Sequence, residues 1–209
     1  MKTTLRPTVW RTVRALANAN RLRFLRLVFE SKGKKNVSQL SEEIGLSVST
    51  ASTYLRALNA RGLISVRKSD GYVLYGDGKN RSLPEAQLLQ RAFMMLFSDP
   101  GIPEDWAEIQ TGLLQAYAHP NRLAIIATLM RFHAAGFMEI RDELGLPKAT
   151  VYRHLSILHR SSVIAMDGEG RYVLNDSDSM LEKVLHKLAS EERESSSGFC
   201  KKRNCLTNS

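Results

Sequence analysis

Apolar positions in the first third of the chain change period, and the change marks out elements. Leu22, Leu25, Val28 and Phe29 share one face of a helix predicted over Arg21–Glu30. An earlier helix is predicted from Pro7 to Ala19, with Pro7 suited to its first turn. Ser31–Asn36 reads as a polar loop. Val37–Ile44 predicts a short helix ended by Gly45, and Ser47–Arg61 a longer one closed by Gly62. The period then falls to two: Leu63–Val66 and Tyr72–Tyr75 read as strands, with Asp70-Gly71 as a hairpin turn.

The same plan follows later in the chain. Helices are predicted over Asn121–Ala134, Met138–Leu144 and Pro147–Arg160, with Pro147 at the first helical position. Strands are predicted at Val163–Met166 and Arg171–Leu174 around the tip Asp167-Gly168-Glu169-Gly170. Between the two sets, Ser82 and Glu85 have capping-box spacing and open a helix to Phe97. Glu104–Ala118 takes the place of a second opening helix, and a last helix covers Asp178–Glu192. The expected domains are 1–97 and 98–192, with 193–209 a disordered polar tail.

The parallel extends to residue identity. Asn20-Arg21-Leu22 returns as Asn121-Arg122-Leu123, and residues 45–75 and 145–175 share 9 identities in 31 positions. These include Gly45/Gly145, Thr50/Thr150, Leu55/Leu155 and Tyr72-Val73-Leu74 against Tyr172-Val173-Leu174. The one indel falls in the loop between Leu22 and Val37, where two copies of one fold tolerate it. A repeat of this length is a domain duplication, not a solenoid.

Charge separates the copies. Residues 1–81 carry 16 basic and 5 acidic side chains, and residues 82–209 carry 14 and 16. The whole excess behind a net charge of +9 therefore lies in the first copy, which suits a polyanion such as nucleic acid or, more simply, gives a solvated surface. No apolar run is long enough to span a bilayer, and residues 1–16 have no continuous apolar core. A cytoplasmic protein without membrane contact is expected.

Three helices followed by a hairpin is the plan of a winged helix-turn-helix. The chain resembles the arsenical-repressor (ArsR-type) family of regulators through Leu16–Leu25, Val37–Leu55 and Gly62-Leu63-Ile64. A looser second match runs through His119–Leu123 and Leu144–Leu155. The resemblance implies a mainly α fold with small β-hairpin wings (α+β), and a double-stranded DNA partner. Because family members act as homodimers through their first and last helices, it also implies an intramolecular pseudo-dimer. The stripes Leu88, Leu89, Ala92, Phe93, Leu96, Phe97 and Trp106, Ile109, Leu113, Leu114, Tyr117 suit either that interface or each domain's own core.

Within a helix-turn-helix, the second helix enters the major groove. In the first copy Ala51, Leu55 and Leu58 should face inward, leaving Ser47, Ser49, Ser52, Thr53 and Arg56 for DNA. Short hydroxyls near a helix N-terminus suit close approach to phosphate. Arg67 and Lys68 flank the hairpin turn, with Arg14, Arg21, Arg23, Lys32, Lys34 and Lys35 adding basic surface. In the second copy Val151, Leu155 and Leu158 take the inward positions, and Lys148, Tyr152, Arg153 and Ser156 face outward. Arg171 is the wing cation there, beside Asp167 and Glu169, which repel phosphate. The outward faces differ, so two unlike half-sites are expected about 34–36 Å apart.

Metal and enzyme chemistry find little support. Family members that sense metals use a cysteine pair where this chain has Asn36 and Ser38, and Gly136 and Met138. Cys200 and Cys205 lie in the tail, flanked by cations that lower a thiol pKa; an incidental pair or a redox pair both fit. The five histidines have no zinc-protease spacing, and no phosphate loop, nucleophile elbow or framed carboxylate pair occurs. No catalytic residue, metal site or cofactor is expected. The reading is a DNA-binding transcriptional regulator, by family habit a repressor, with any small-molecule or protein effector unknown and further dimerisation open. The alternatives are a protein-interaction module of tandem winged helices and a non-specific DNA-binding protein.

Overall fold

A computed structural model describes residues 8–69, 71–77 and 83–203, with side chains as far as Glu191. Pro7, Asp70, Ser82 and Cys205 lie outside the described residues, and Cys200 is described by backbone alone. The chain is mainly helical with two small antiparallel sheets, and its contacts divide it into two compact units.

Unit 1 comprises α1 (Val9–Leu16, from Arg11 onward), α2 (Ala19–Glu30), β1 (Lys35–Asn36), α3 (Val37–Ile44), α4 (Val48–Asn59), β2 (Ser65–Ser69), β3 (Tyr72–Gly76), α5 (Pro84–Phe97) and α6 (Trp106–Tyr117, as far as Gln115). Local chemistry sets the boundaries. Asn18 caps α2 by accepting the Arg21 amide at 3.0 Å. Asn36 and Gln39 form a reciprocal capping box on α3, each side chain accepting the other's amide at 3.1 and 3.0 Å. Gly45 ends α3 at φ 73°, and three residues later α4 has begun. Gly45→Ala puts a β-carbon into open space but keeps the left-handed backbone, so only strain enters. The expected cost is about 1 kcal/mol, read as a lower denaturant midpoint at unchanged slope.

The core of unit 1 is built from Leu22, Phe24, Leu25 and Val28 of α2, Leu40 of α3, Ala51, Leu55 and Leu58 of α4, and Leu89 and Phe93 of α5, all fully buried. The Gln90 carboxamide donates to the Leu63 carbonyl at 2.8 Å, fixing α5 to the turn after α4. Leu63 and Ile64, expected in a strand, are buried ahead of it; β2 starts at Ser65 and extends to Ser69.

The sheet order is β1-β3-β2, with Lys35 opposite Tyr75, and Val66 opposite the same residue on the other side. β1 falls in the segment expected to be loop. It is two polar residues long, too short to carry an alternation.

Unit 2 contains α7 (Pro120–Phe132), β4 (Ala134–Ala135), α8 (Phe137–Leu144), α9 (Lys148–Arg160), β5 (Ile164–Met166), β6 (Tyr172–Leu174) and α10 (Met180–Arg203). From α7 to β6 the element order equals that from α2 to β3, and the sheet order β4-β6-β5 matches as well. Pro147 is not in the first helical turn: its ψ of 143° is extended and makes it the N-cap. Ser162 holds φ 55° where Gly62 holds 68°, so the second chain turn is made by a residue with a β-carbon.

Two boundaries differ from the sequence reading. The expected division at 97/98 becomes one at 115/116. Trp106 stacks edge-on against Phe97 at 5.1 Å and Glu108 pairs with Arg23 at 2.6 Å, which fastens α6 to unit 1. The expected tail from 193 is helical as far as Arg203.

Candidate nucleic-acid interface

The segment Gly45-Leu46-Ser47 turns the chain sharply from α3 into α4 and leaves one face of α4 in solvent. Ala51, Leu55 and Leu58 are fully buried, while Ser49, Thr53 and Arg56 are exposed and Ser52 is half-buried. The hydroxyls are not equally available. Ser47 Oγ accepts the Thr50 amide at 3.2 Å and pairs with Thr50 Oγ1 at 2.9 Å, so its first task is capping. Thr53 Oγ1 donates to the Ser49 carbonyl at 3.1 Å. Arg56 uses only Nε, donating to the Ser52 carbonyl at 3.2 Å, which leaves the guanidinium fork pointing outward. Val48, 47% exposed at the first helical position, was not among the residues expected here. An apolar group there suits a thymine methyl, and only its place beside the cap could have marked it.

On the wing, Lys68 is exposed and has no partner among the described residues. Arg67 is tied down: its Nη2 donates to the Gly33 carbonyl at 3.1 Å. Tyr72, 61% exposed, stands opposite Ser69 and is a second residue that the sequence reading passed over. The wider basic surface is smaller than the count of cations suggested. Arg21 is half-buried, bonded to the Arg14 carbonyl and stacked over Tyr54; Arg23 pairs with Glu108, and Lys35 with Glu43. Lys32 and Lys34 remain exposed.

The corresponding face of unit 2 is differently furnished. Lys148, Tyr152 and Arg153 are exposed, Tyr152 by 67%, over buried Val151, Leu155 and Leu158. Lys148 and Tyr152 are one helical turn apart, so a cation and an aromatic ring share one face of α9. Arg171 does not act as a free wing cation: it lies 3.0 Å from Glu169 and 3.3 Å from Asp167. Asp167 is held below its usual pKa by the Arg171 and Glu169 amides and the Arg171 charge. This wing presents a closed ion-pair cluster.

Beneath α9, His154 is buried with its ring 4.4 Å from that of His119, and Asn121 Nδ2 lies 3.3 Å from its Nε2. Burial, then the facing His119, Arg122 and Arg153 charges, lowers its pKa to about 4. A histidine kept neutral in the fold but titrating near 6.5 when unfolded favours unfolding as protons bind. Unit 2 is therefore expected to lose stability as pH falls from about 6.5 toward 4. Melting followed by circular dichroism checks this, and His154→Gln should flatten the dependence; an unchanged slope in the variant contradicts it.

Among the described residues no helix is long and apolar enough to cross a membrane, and no group of three or more His, Cys, Asp or Glu is placed to hold a metal ion. Residues 18–66, from the α2 cap into β2, match the model of a family described as bacterial regulatory protein, arsR family. That segment is thus similar to the helix-turn-helix of DNA-binding transcription regulators. No curated protein and no solved structure matches the chain.

Proposed function

We propose that this chain is a cytoplasmic, sequence-specific transcription regulator, a repressor acting by promoter occlusion, with two tandem winged helices reading two unlike half-sites. The observation that carries the reading is the outward face of α4, with an open arginine fork beside exposed hydroxyls, inside the segment similar to known regulators. The matching order of elements from α7 to β6 supports a second reading head. On it Lys148, Tyr152 and Arg153 replace the hydroxyls, so the halves prefer different bases. Ser47, Arg67 and Arg171 serve structure first: a cap, a loop tie and a wing cluster.

Binding of the full chain to a mixed-sequence duplex at 50–200 mM salt tests the electrostatic part. Roughly 0.9 of a counterion is released per phosphate neutralised. With Lys32, Lys34, Arg56, Lys68, Lys148 and Arg153 as the available cations, the slope of log K against log salt should be about −4 to −6. A flat dependence contradicts DNA binding and favours the protein-interaction module, a reading that the second wing supports, where two carboxylates share the one Arg171 cation.

A further inference from the structure

Unit 1 contains a cleft of about 480 Å³ away from the outward face of α4, between α2, the end of α3 and Trp106. Its size is within the range of small-molecule sites, roughly 300–1,000 Å³. Its lining carries both signs of charge: Arg23, Arg26 and Glu30 on α2, and Glu43 on α3. On α2, Arg26 is set over the Phe97 and Trp106 rings at 5.9 and 5.7 Å and donates through Nε to Glu30 at 2.7 Å. Both Arg26 Nη groups are left without a hydrogen bond among the described residues, in a fork held still by the rings. Beside it, Asn20 spends its carbonyl oxygen on Arg23 Nη1 at 3.0 Å and keeps its amide donors. The facing wall is Glu43, the penultimate residue of α3, whose carboxylate holds the Lys35 ammonium and no other group among the described residues. Half-buried Leu27 and Ile44 supply apolar surface between them.

We propose that this cleft binds a small zwitterion with an apolar side chain, an amino acid or dipeptide, as the effector of the regulator. Its carboxylate meets the Arg26 fork and the Asn20 amide, its ammonium meets Glu43, and its side chain lies on Leu27 and Ile44. A simple anion brings a second negative charge beside Glu43, whose carboxylate already holds Lys35, and a simple cation meets the Arg26 charge. Only a ligand carrying both charges satisfies both walls. Glu43 and Ile44 lead directly into Gly45-Leu46-Ser47, the turn that aims α4. A ligand bridging α2 to this end of α3 therefore favours one setting of that turn over another. The ligand claim stands on the cleft alone; the effector role rests on the DNA-binding reading above.

The test is calorimetric titration of the full chain, without DNA, with leucine, leucyl-leucine, 4-methylpentanoate and 3-methylbutylamine. Leucine or its dipeptide should bind, and each single-charge analogue should bind at least about tenfold more weakly, one charge-assisted contact being lost. Glu43→Gln and Arg26→Lys should each weaken the zwitterion similarly; Arg26→Lys keeps the charge over the rings, and the melting temperature of each variant reports its folding. The proposal is overturned if no zwitterion binds, if the acid alone binds as well as leucine, or if both folded variants bind normally. Repeating DNA binding with saturating ligand separates the two claims. Ligand binding without any change in DNA affinity overturns the effector role, whereas a chain that never binds DNA contradicts the regulator reading and leaves the cleft measurement intact.

Discussion

Glutamate at both Arg56 and Lys68 is expected to lower DNA affinity by about 100-fold or more near physiological salt, since each contact is worth roughly 1–3 kcal/mol. The two residues stand for different terms. Arg56 presents a fork from the last turn of α4, suited to a guanine edge, and Lys68 is a wing cation of unit 1 without a partner among the described residues. The single changes should separate them: Arg56→Ala relaxes sequence preference, while Lys68→Ala weakens all sequences alike and reduces the salt slope by about 1. The paired reversal Lys148→Glu with Arg153→Glu should cost less, about tenfold, because the wing behind it is already closed by Asp167, Glu169 and Arg171. Fluorescence anisotropy on a selected duplex and a mixed-sequence one, over a range of salt, measures all four. Equal losses from the two double variants contradict the unequal division of labour between the units.

The second large effect is on stability. Phe24 is fully buried, with its ring edge-on to Tyr54 at 6.1 Å, and it joins α2 to the helix that would read DNA. Phe24→Ala is expected to cost about 3–5 kcal/mol, the transfer loss plus an unfilled cavity. That is a large part of the 5–15 kcal/mol typical of a whole domain, so the variant should be substantially unfolded in unit 1 at 37 °C. Leu155→Ala, at an equally buried position in unit 2, should cost about 2–5 kcal/mol. Hydrogen exchange read peptide by peptide distinguishes the lesions. Loss of protection confined to α2–α4 in one variant and to α7–α9 in the other is the expected pattern; uniform loss in both shows that the chain unfolds as one unit.

What could be read from the chain, and what could not, follows the range of the forces involved. Helix existence was legible because periodic burial and local caps act within a few residues: the stripe Leu22, Leu25 and Val28, and Gly45 as a left-handed cap, are visible as sequence signals. β1 was not, since Lys35–Asn36 is a strand only by virtue of Tyr75 and Leu74 across the ladder. The position of α6 was equally hidden. Trp106 looks like any core aromatic until Phe97 and Arg26 are beside it. The same holds within the reading surface. Which residues face outward followed from the inward stripe of Ala51, Leu55 and Leu58, but which of those are free to bind did not. Ser47 is spent on Thr50, Arg67 on the Gly33 carbonyl and Arg171 on two carboxylates, partners that sequence alone does not assign. Conversely Val48 and Tyr72 were overlooked because apolar residues are read first as core.

The account stands or falls on whether the whole chain selects particular DNA sequences. Purified protein should be mixed with fragmented genomic DNA at near-physiological salt, where phosphate contacts alone are weakened, and the retained fragments sequenced. Enrichment of a few sites, each with two dissimilar half-sites about 34–36 Å apart, is the predicted result. Retention spread evenly over the genome and lost as salt rises, or no retention at all, would contradict it.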